Sequence, residues 1–276
     1  RKKQAIDLSV GLADDLPATW PGAGVGDHRQ AYMTVLFGKN PNTRAPFPMH
    51  MMDSHAGTHL VPPAYALPPG PFDPRGYAPD VRQWLAEYEK AHGPRGTSDV
   101  TTEKVSIAQT CGRARVVDVK HLLGTVPRDR WPASPEVTKS HLQGFEKGNG
   151  PFAAGDVVVL RTDWSDRYYH PFPKGEACMA DPLKGKAEGW PAPGPEAVAY
   201  LAEKGVRCVA TDAPTLGGVD PKRALWTYWA LGTRGMVGVE FLTNLGALPA
   251  DAYFLFAAGK IRGCHGGPGR AIALYD

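Results

Sequence analysis

The chain has 276 residues, 42% of them hydrophobic, enough for one substantial core, and it reads as one domain over 1–276. Its 31 Lys and Arg against 28 Asp and Glu leave a net charge of +3 without long runs of one sign, which argues against a nucleic-acid binder, and no stretch of eighteen apolar residues suggests a membrane span. The four cysteines, Cys111, Cys178, Cys208 and Cys264, are too widely spaced for a zinc ribbon and leave disulfides and redox compartment open.

Arg1-Lys2-Lys3, rather than methionine, leads at once into a strand-like segment. A cytoplasmic location is expected, with a periplasmic or secreted one after signal-peptide removal as the alternative. Apolar spacing at Val81, Trp84, Leu85 and Tyr88 predicts a helix over Pro79–His92. Short β-branched runs predict buried strands at Val105–Ala108, Arg115–Val119 and Val157–Leu160. A helix over Gly194–Lys204, with Ala197, Val198 and Leu201 on one face and Gly205 as its C-terminal stop, is followed by a strand at Val206–Ala210. Pro221–Leu231 reads as a third helix, and strands follow at Met236–Phe241, Ala252–Ala257 and Ala271–Leu274. The 27 prolines and 32 glycines cluster rather than repeat, marking loop-rich stretches near 66–104 and 165–195 that border the candidate site and offer lids or an oligomer surface.

The candidate site centres on His55-Ala-Gly-Thr-His59-Leu-Val-Pro-Pro-Ala-Tyr65. Imidazole nitrogens bind zinc, manganese and related ions, and two of them supplied from one short turn lower the entropic cost of assembling a site. Gly57 and Pro62-Pro63 oppose a helix, and Ala56 stands where the zinc-protease helix needs its glutamate, so a loop is expected. Glu240, between Val239 and Phe241, is costly as a buried carboxylate without a partner and reads as a ligand or ion-pair residue. His50 and Asp53 lie close enough along the chain to reach the site. His265, beside Cys264 in a Gly-rich turn, reads as a candidate acid-base residue or a surface histidine. His28, His92, His121, His141 and His170 default to surface or structural roles. The seven tryptophans supply core, or aromatic walls for a pocket.

His55, Gly57, Thr58, His59 and Pro63 resemble the His-x-Gly-Thr-His-x-Asp-x-Pro-x-His signature of the metal-dependent cyclase and hydrolase family that includes bacterial kynurenine formamidase and isatin hydrolase. The likeness extends along the chain. Ala5-Ile-Asp-Leu-Ser9 with Trp20-Pro21-Gly22, Gly155-Asp to Asp163-Trp164, Asp212-Ala-Pro-Thr215, Glu240 to Leu245, and Gly266-Gly-Pro-Gly-Arg270 fall in the family's order. It implies a swivelling β/β/α, cyclase-like α/β fold with a mixed sheet core and few helices. It also implies that His55, His59 and Glu240 are metal ligands. The family's aspartate falls on Val61, its last histidine on Tyr65, and a further metal histidine on Tyr228.

Two histidines and a carboxylate are the ligand set of many mononuclear zinc sites, so one divalent ion, zinc or manganese, is expected. In that setting His265 would move protons, and Tyr65 or Tyr228 would stabilise an oxyanion. The bland alternative has Tyr65 and Tyr228 filling the volume of lost histidines, with Val61 as packing. The resulting expectation is a hydrolase of a small cyclic or N-acylated amide, imide or lactone, assembled as a homodimer or homotetramer. The alternatives are a lyase, isomerase or cyclase on the same scaffold using tyrosine acid-base chemistry, and a catalytically silent binder of a small ligand.

Overall fold

Alternation within the β-branched runs explains the architecture. Val158 and Leu160 pack outward with Leu142, Val198 and Leu201 from two helices, while Val157 and Val159 pack inward against Phe254, Phe256, Ala271 and Ala273. Burying each such side chain stabilises by roughly 1.5–3 kcal/mol, so a one-residue slip of this strand would exchange its two faces and forfeit both contacts. The computed structural model describes residues 4–21 and 32–276; Arg1 to Lys3, Gly22 and His28 lie outside the described residues.

In chain order the elements are β1 (Gln4–Asp7), β2 (Tyr32–Lys39), β3 (Pro46–Met52), β4 (His59–Val61), α1 (Pro79–His92), β5 (Cys111–Asp118), β6 (Glu136–Val137), α2 (Lys139–Asn149), β7 (Asp156–Arg161) and α3 (Trp164–Tyr168). They continue with α4 (Ala180–Leu183), β8 (Ala192–Pro193), α5 (Pro195–Glu203), β9 (Cys208–Thr211), α6 (Pro221–Thr233), β10 (Val237–Glu240), β11 (Tyr253–Ala258) and β12 (Gly267–Tyr275). The main sheet runs β1-β12-β11-β5-β7-β9-β10-β4. Its centre, β5-β7-β9-β10, is parallel. The short β4 pairs antiparallel with both β10 and β12, so the sheet closes on itself with His59 in the closing strand. The fold is therefore the expected sheet-dominated α/β type.

α1 and α5 start and stop within a residue of where their sequences place them, and α6 runs two residues beyond Leu231 to Thr233. α1, α5 and α6 each carry Pro in the first turn, and Asp220 caps α6 by accepting the Arg223 N–H at 2.7 Å. Gly93 and Gly205, just past α1 and α5, take φ of +84° and +85°, a conformation that favours glycine. α2 was not expected: two glycines interrupt it and only Leu142 is buried, so the apolar stripe is too thin to show. It is fixed at its start by Thr138 and His141, whose side chains cap the first turn reciprocally.

Two expectations require correction. Val105–Ala108 is not a strand: it runs between one-turn helices at Thr102–Lys104 and Ile107–Gln109, with Ile107 59% exposed, and pairing begins only at Cys111. Nor is the histidine motif wholly loop, because its second half is β4. The β2–β3 hairpin, missed in the sequence, forms a sheet of its own and carries exposed Leu36, Phe37, Phe47, Met49, Met51 and Met52. Among the described residues all four cysteines are free, and no helix is long and apolar enough to cross a membrane.

Candidate active site

The parallel strands β7, β9 and β10 end side by side, and their carboxyl ends carry the polar residues, the usual place for a site in a parallel sheet. β10 ends on Glu240. β9 runs into Asp212-Ala-Pro-Thr215, and β7 into Thr162-Asp163-Trp164. Asp212, fully buried, ties these two turns together by accepting from Thr162 N (2.8 Å), Thr162 Oγ1 (2.6 Å) and Asp163 N (2.8 Å). Burial pushes its carboxyl up to about 7 against the opposing pull of those donors. Three donors and no donated proton are the pattern of a carboxylate, so we assign the ionised form.

The histidines reach the same place through a turn that only glycine fits well. Gly57 has φ +56°, and its N–H donates to the Ala18 carbonyl at 2.6 Å. Thr58 Oγ1 donates to the Phe241 carbonyl (2.6 Å) and accepts from Val10 N (3.0 Å), clamping the turn to the residue after Glu240. His55 and His59 then face one another, ring centroids 4.9 Å apart. Asp53 Oδ1 accepts the His55 backbone N–H at 2.9 Å.

His59 is 2% exposed and its tautomer is fixed: Nδ1 donates to the Gly57 carbonyl at 2.8 Å, leaving the Nε2 lone pair free. Nε2 lies 3.1 Å from Glu240 Oε2 yet has no hydrogen-bond partner. The other carboxylate oxygen, Oε1, is satisfied by Leu216 N and by the Tyr228 hydroxyl, both at 2.6 Å. Two lone pairs thus meet in a buried place with no proton aligned between them. Ligands roughly 2.0–2.2 Å from a shared ion stand about 3 Å apart, so this pair fits a divalent cation.

The cavity here measures about 210 Å³ and is lined by Trp20, Asp53, His55, His59, Tyr65, Met179, Pro214, Thr215, Tyr228, Glu240 and Phe241. It gathers His55, His59, Glu240, Tyr65 and Tyr228 from the expected set, together with Asp53. His55 does not close a ligand set: among the described residues no group of three His, Cys, Asp or Glu is placed round one ion, and the His55 ring packs on Tyr65 (4.9 Å) as well as on His59. Burial and the neighbouring His59 push His55 down to about 4, so it is neutral at physiological pH and free to act as a ligand.

Tyr65 is 45% exposed, but burial and the Glu240 and Asp53 carboxylates push its phenol up to about 12. It keeps its proton and can donate a hydrogen bond. Tyr228 is also raised, by burial first and then by Glu240, and its single proton is committed to Glu240 Oε1. Its place is behind the carboxylate rather than at an oxyanion. His265 is exposed and does not line the cavity; the turn before β12 directs it to the surface. Val61 is 4% exposed in the core, where its side chain packs as valine should. His50 sits on β3, its Nδ1 3.1 Å from Tyr32 Oη, away from the cavity lining.

Met179, Pro214, Thr215 and Phe241 were missed as lining residues. Thr215 belongs to a turn whose motif was visible, whereas Met179 comes from the loop-rich stretch near 165–195 and gave no signal. His121 and His141 face a separate cavity of about 420 Å³, where His141 caps α2.

Residues 6–217 match the family described as "Putative cyclase". An isatin hydrolase from Roseibium aggregatum is 33% identical over 144 residues, covering 50% of this chain and 52% of that protein, so the match spans about half of the curated relative's length. Isatin hydrolase A from Ralstonia solanacearum superimposes with a TM-score of 0.69 at 21% identity, covering 99% of this chain and 92% of its own. A "predicted metal-dependent hydrolase" from Bacillus stearothermophilus gives 0.61 at 16% identity, covering 99% of each chain. At these identities both structures share the fold.

Proposed function

The chain belongs to the cyclase family, and from that premise we propose that it hydrolyses a small cyclic or N-acylated amide, imide or lactone with the help of one divalent metal ion, zinc or manganese. The observation that carries the reading is the buried His59 Nε2, unpartnered 3.1 Å from Glu240 Oε2. His59 and Glu240 would hold the ion, with His55 in the same cavity as the further candidate ligand. When bound, such an ion supplies a Lewis acid that polarises a carbonyl oxygen.

The chain's own groups divide the remaining work. Tyr228 and Leu216 N hold Glu240 so that one oxygen faces inward. Tyr65, protonated at the pocket mouth, donates to the carbonyl oxygen as negative charge builds there. Asp53, held to the backbone of His55, is the carboxylate left to take a proton from the attacking water. The raised Tyr65 weighs against the tyrosine-base lyase or isomerase, which needs a phenolate near neutrality. The names of the Roseibium and Bacillus relatives support a hydrolase and a metal-dependent one.

Elemental mass spectrometry of wild type and of a His59→Ala, Glu240→Gln variant tests the proposal, alongside turnover of lactones, imides and formamides. About one equivalent of metal, lost in the variant together with turnover, is expected. No metal after incubation with zinc and manganese, and no turnover, would overturn it in favour of a silent binder.

We extend the proposal to assembly: a homodimer or homotetramer, supported by the apolar β2–β3 hairpin, which among the described residues pairs with no other strand.

A further inference from the structure

We propose that Gly266, in the turn before β12, is a positioning residue for His55, and that Thr102 holds that turn in place. The inference rests on the reading of His55 as a candidate ligand and adds what sets its ring. His59 is oriented by the hydrogen bond from its Nδ1 to the Gly57 carbonyl. His55 is held by packing instead: the rings of His59 and Tyr65 each stand 4.9 Å away, centroid to centroid. Its third wall is backbone. A Cβ on Gly266 would lie 2.5 Å from the Ser54 carbonyl oxygen and 2.8 and 2.9 Å from Nε2 and Cδ2 of His55. Atoms in favourable contact keep roughly 3.5–4.0 Å apart, so residue 266 has no room for a side chain while the ring stays where it is.

The turn itself is pinned on both sides. The Cys264 carbonyl accepts from Thr102 N at 2.9 Å and from Thr102 Oγ1 at 3.0 Å, and Thr102 is 5% exposed. Gly263 N donates to Glu103 Oε2 at 3.1 Å. Beyond the turn, Gly267 and Pro268 pair with Leu60 and His59 on β4. The turn that sends His265 to the surface therefore brings Gly266 to the Nε2–Cδ2 edge of the His55 ring and keeps it there. A methyl group at 266 would displace Ser54 and His55 rather than the turn. Thr102, at the end of the loop-rich stretch near 66–104, thus acts on a cavity residue without lining the cavity.

The test begins with the Cε1–H spectrum of the purified full chain in EDTA, labelled with ¹³C at histidine Cε1. Each of the nine histidines gives one signal, and His55 is identified by its loss in His55→Gln. Gly266→Ala should move the His55 signal and leave those of His121 and His141, on a separate cavity, in place. Thr102→Val, which keeps the backbone bond and the side-chain size but loses the Oγ1 bond, should move it less. Cobalt titration followed by visible absorption reads the consequence. Gly266→Ala should weaken binding about tenfold or more in the wild-type background and little in His55→Gln. An unmoved His55 signal in folded Gly266→Ala, or in Thr102→Val should the alanine variant not fold, would overturn the inference. So would an equal loss of cobalt affinity with and without His55. A wild type that binds no cobalt would sink the metal reading alone, because the spectrum in EDTA decides the positioning by itself.

Discussion

Tyr228 donates its only proton to Glu240 Oε1 at 2.6 Å, and this leaves Oε2 facing His59 as the free oxygen of a buried carboxylate. A residue on α6 thereby sets the orientation of a residue on β10, twelve positions along the chain. Second groups of this kind commonly govern metal affinity more than they govern folding.

Tyr228→Phe removes that donor while keeping the ring. We expect metal affinity to fall about tenfold or more and stability by roughly 1–2 kcal/mol, because one lone pair of a buried carboxylate loses its partner. Competition with a chromogenic chelator reads the first and urea unfolding the second. Unchanged affinity would show that Tyr228 only fills space.

Acid should weaken the fold through His55. Its folded value near 4 lies below the free value of 6.5, so the unfolded chain binds the extra proton first. Stability is therefore full above about pH 6.5 and falls as pH drops towards 4, by roughly 3 kcal/mol for this one group. Urea unfolding in EDTA at several pH values, on wild type and His55→Gln, measures it. The variant should show a flatter dependence between pH 6.5 and 4.

Asp212→Asn keeps the size of the side chain but turns one acceptor into a donor facing another N–H. Either amide orientation leaves Thr162 or Asp163 opposed. A loss of roughly 2–4 kcal/mol is expected, with turnover reduced as the Pro214-Thr215 wall loosens. Thermal melting that matches wild type would contradict the ionised assignment.

The hairpin predicts the assembly state. Phe37 and Met49 are 67% and 43% exposed on a two-stranded sheet, an arrangement seldom stable without cover. Light scattering should find wild type as a dimer or tetramer, and Phe37→Lys with Met49→Lys should shift it towards monomer. A monomeric wild type would remove the assembly proposal.

Much of this was legible in the sequence for local reasons. Apolar spacing marked α1 nearly to the residue and, with Gly205 as its stop, α5, and β-branched runs marked β5, β7, β9 and β10, because caps and side-chain periodicity act over a few residues. His55, His59 and Glu240 stood out because each is an ionisable group in an apolar or glycine-bearing setting. Val105–Ala108 misled because a short apolar run says nothing about whether a neighbouring strand is there to pair with it.

What only the tertiary structure decided are relationships between distant segments. Residues 59 and 240 meet through closure of the sheet by β4. Tyr228 became a support for Glu240 rather than an oxyanion donor because α6 lays it against the end of β10. His265 was turned out to the surface, and Met179 was brought in from a loop-rich stretch with no motif. Hydrogen-bond partners and burial are set by the packing of whole elements, so the sequence named the chemical groups while the fold assigned their roles.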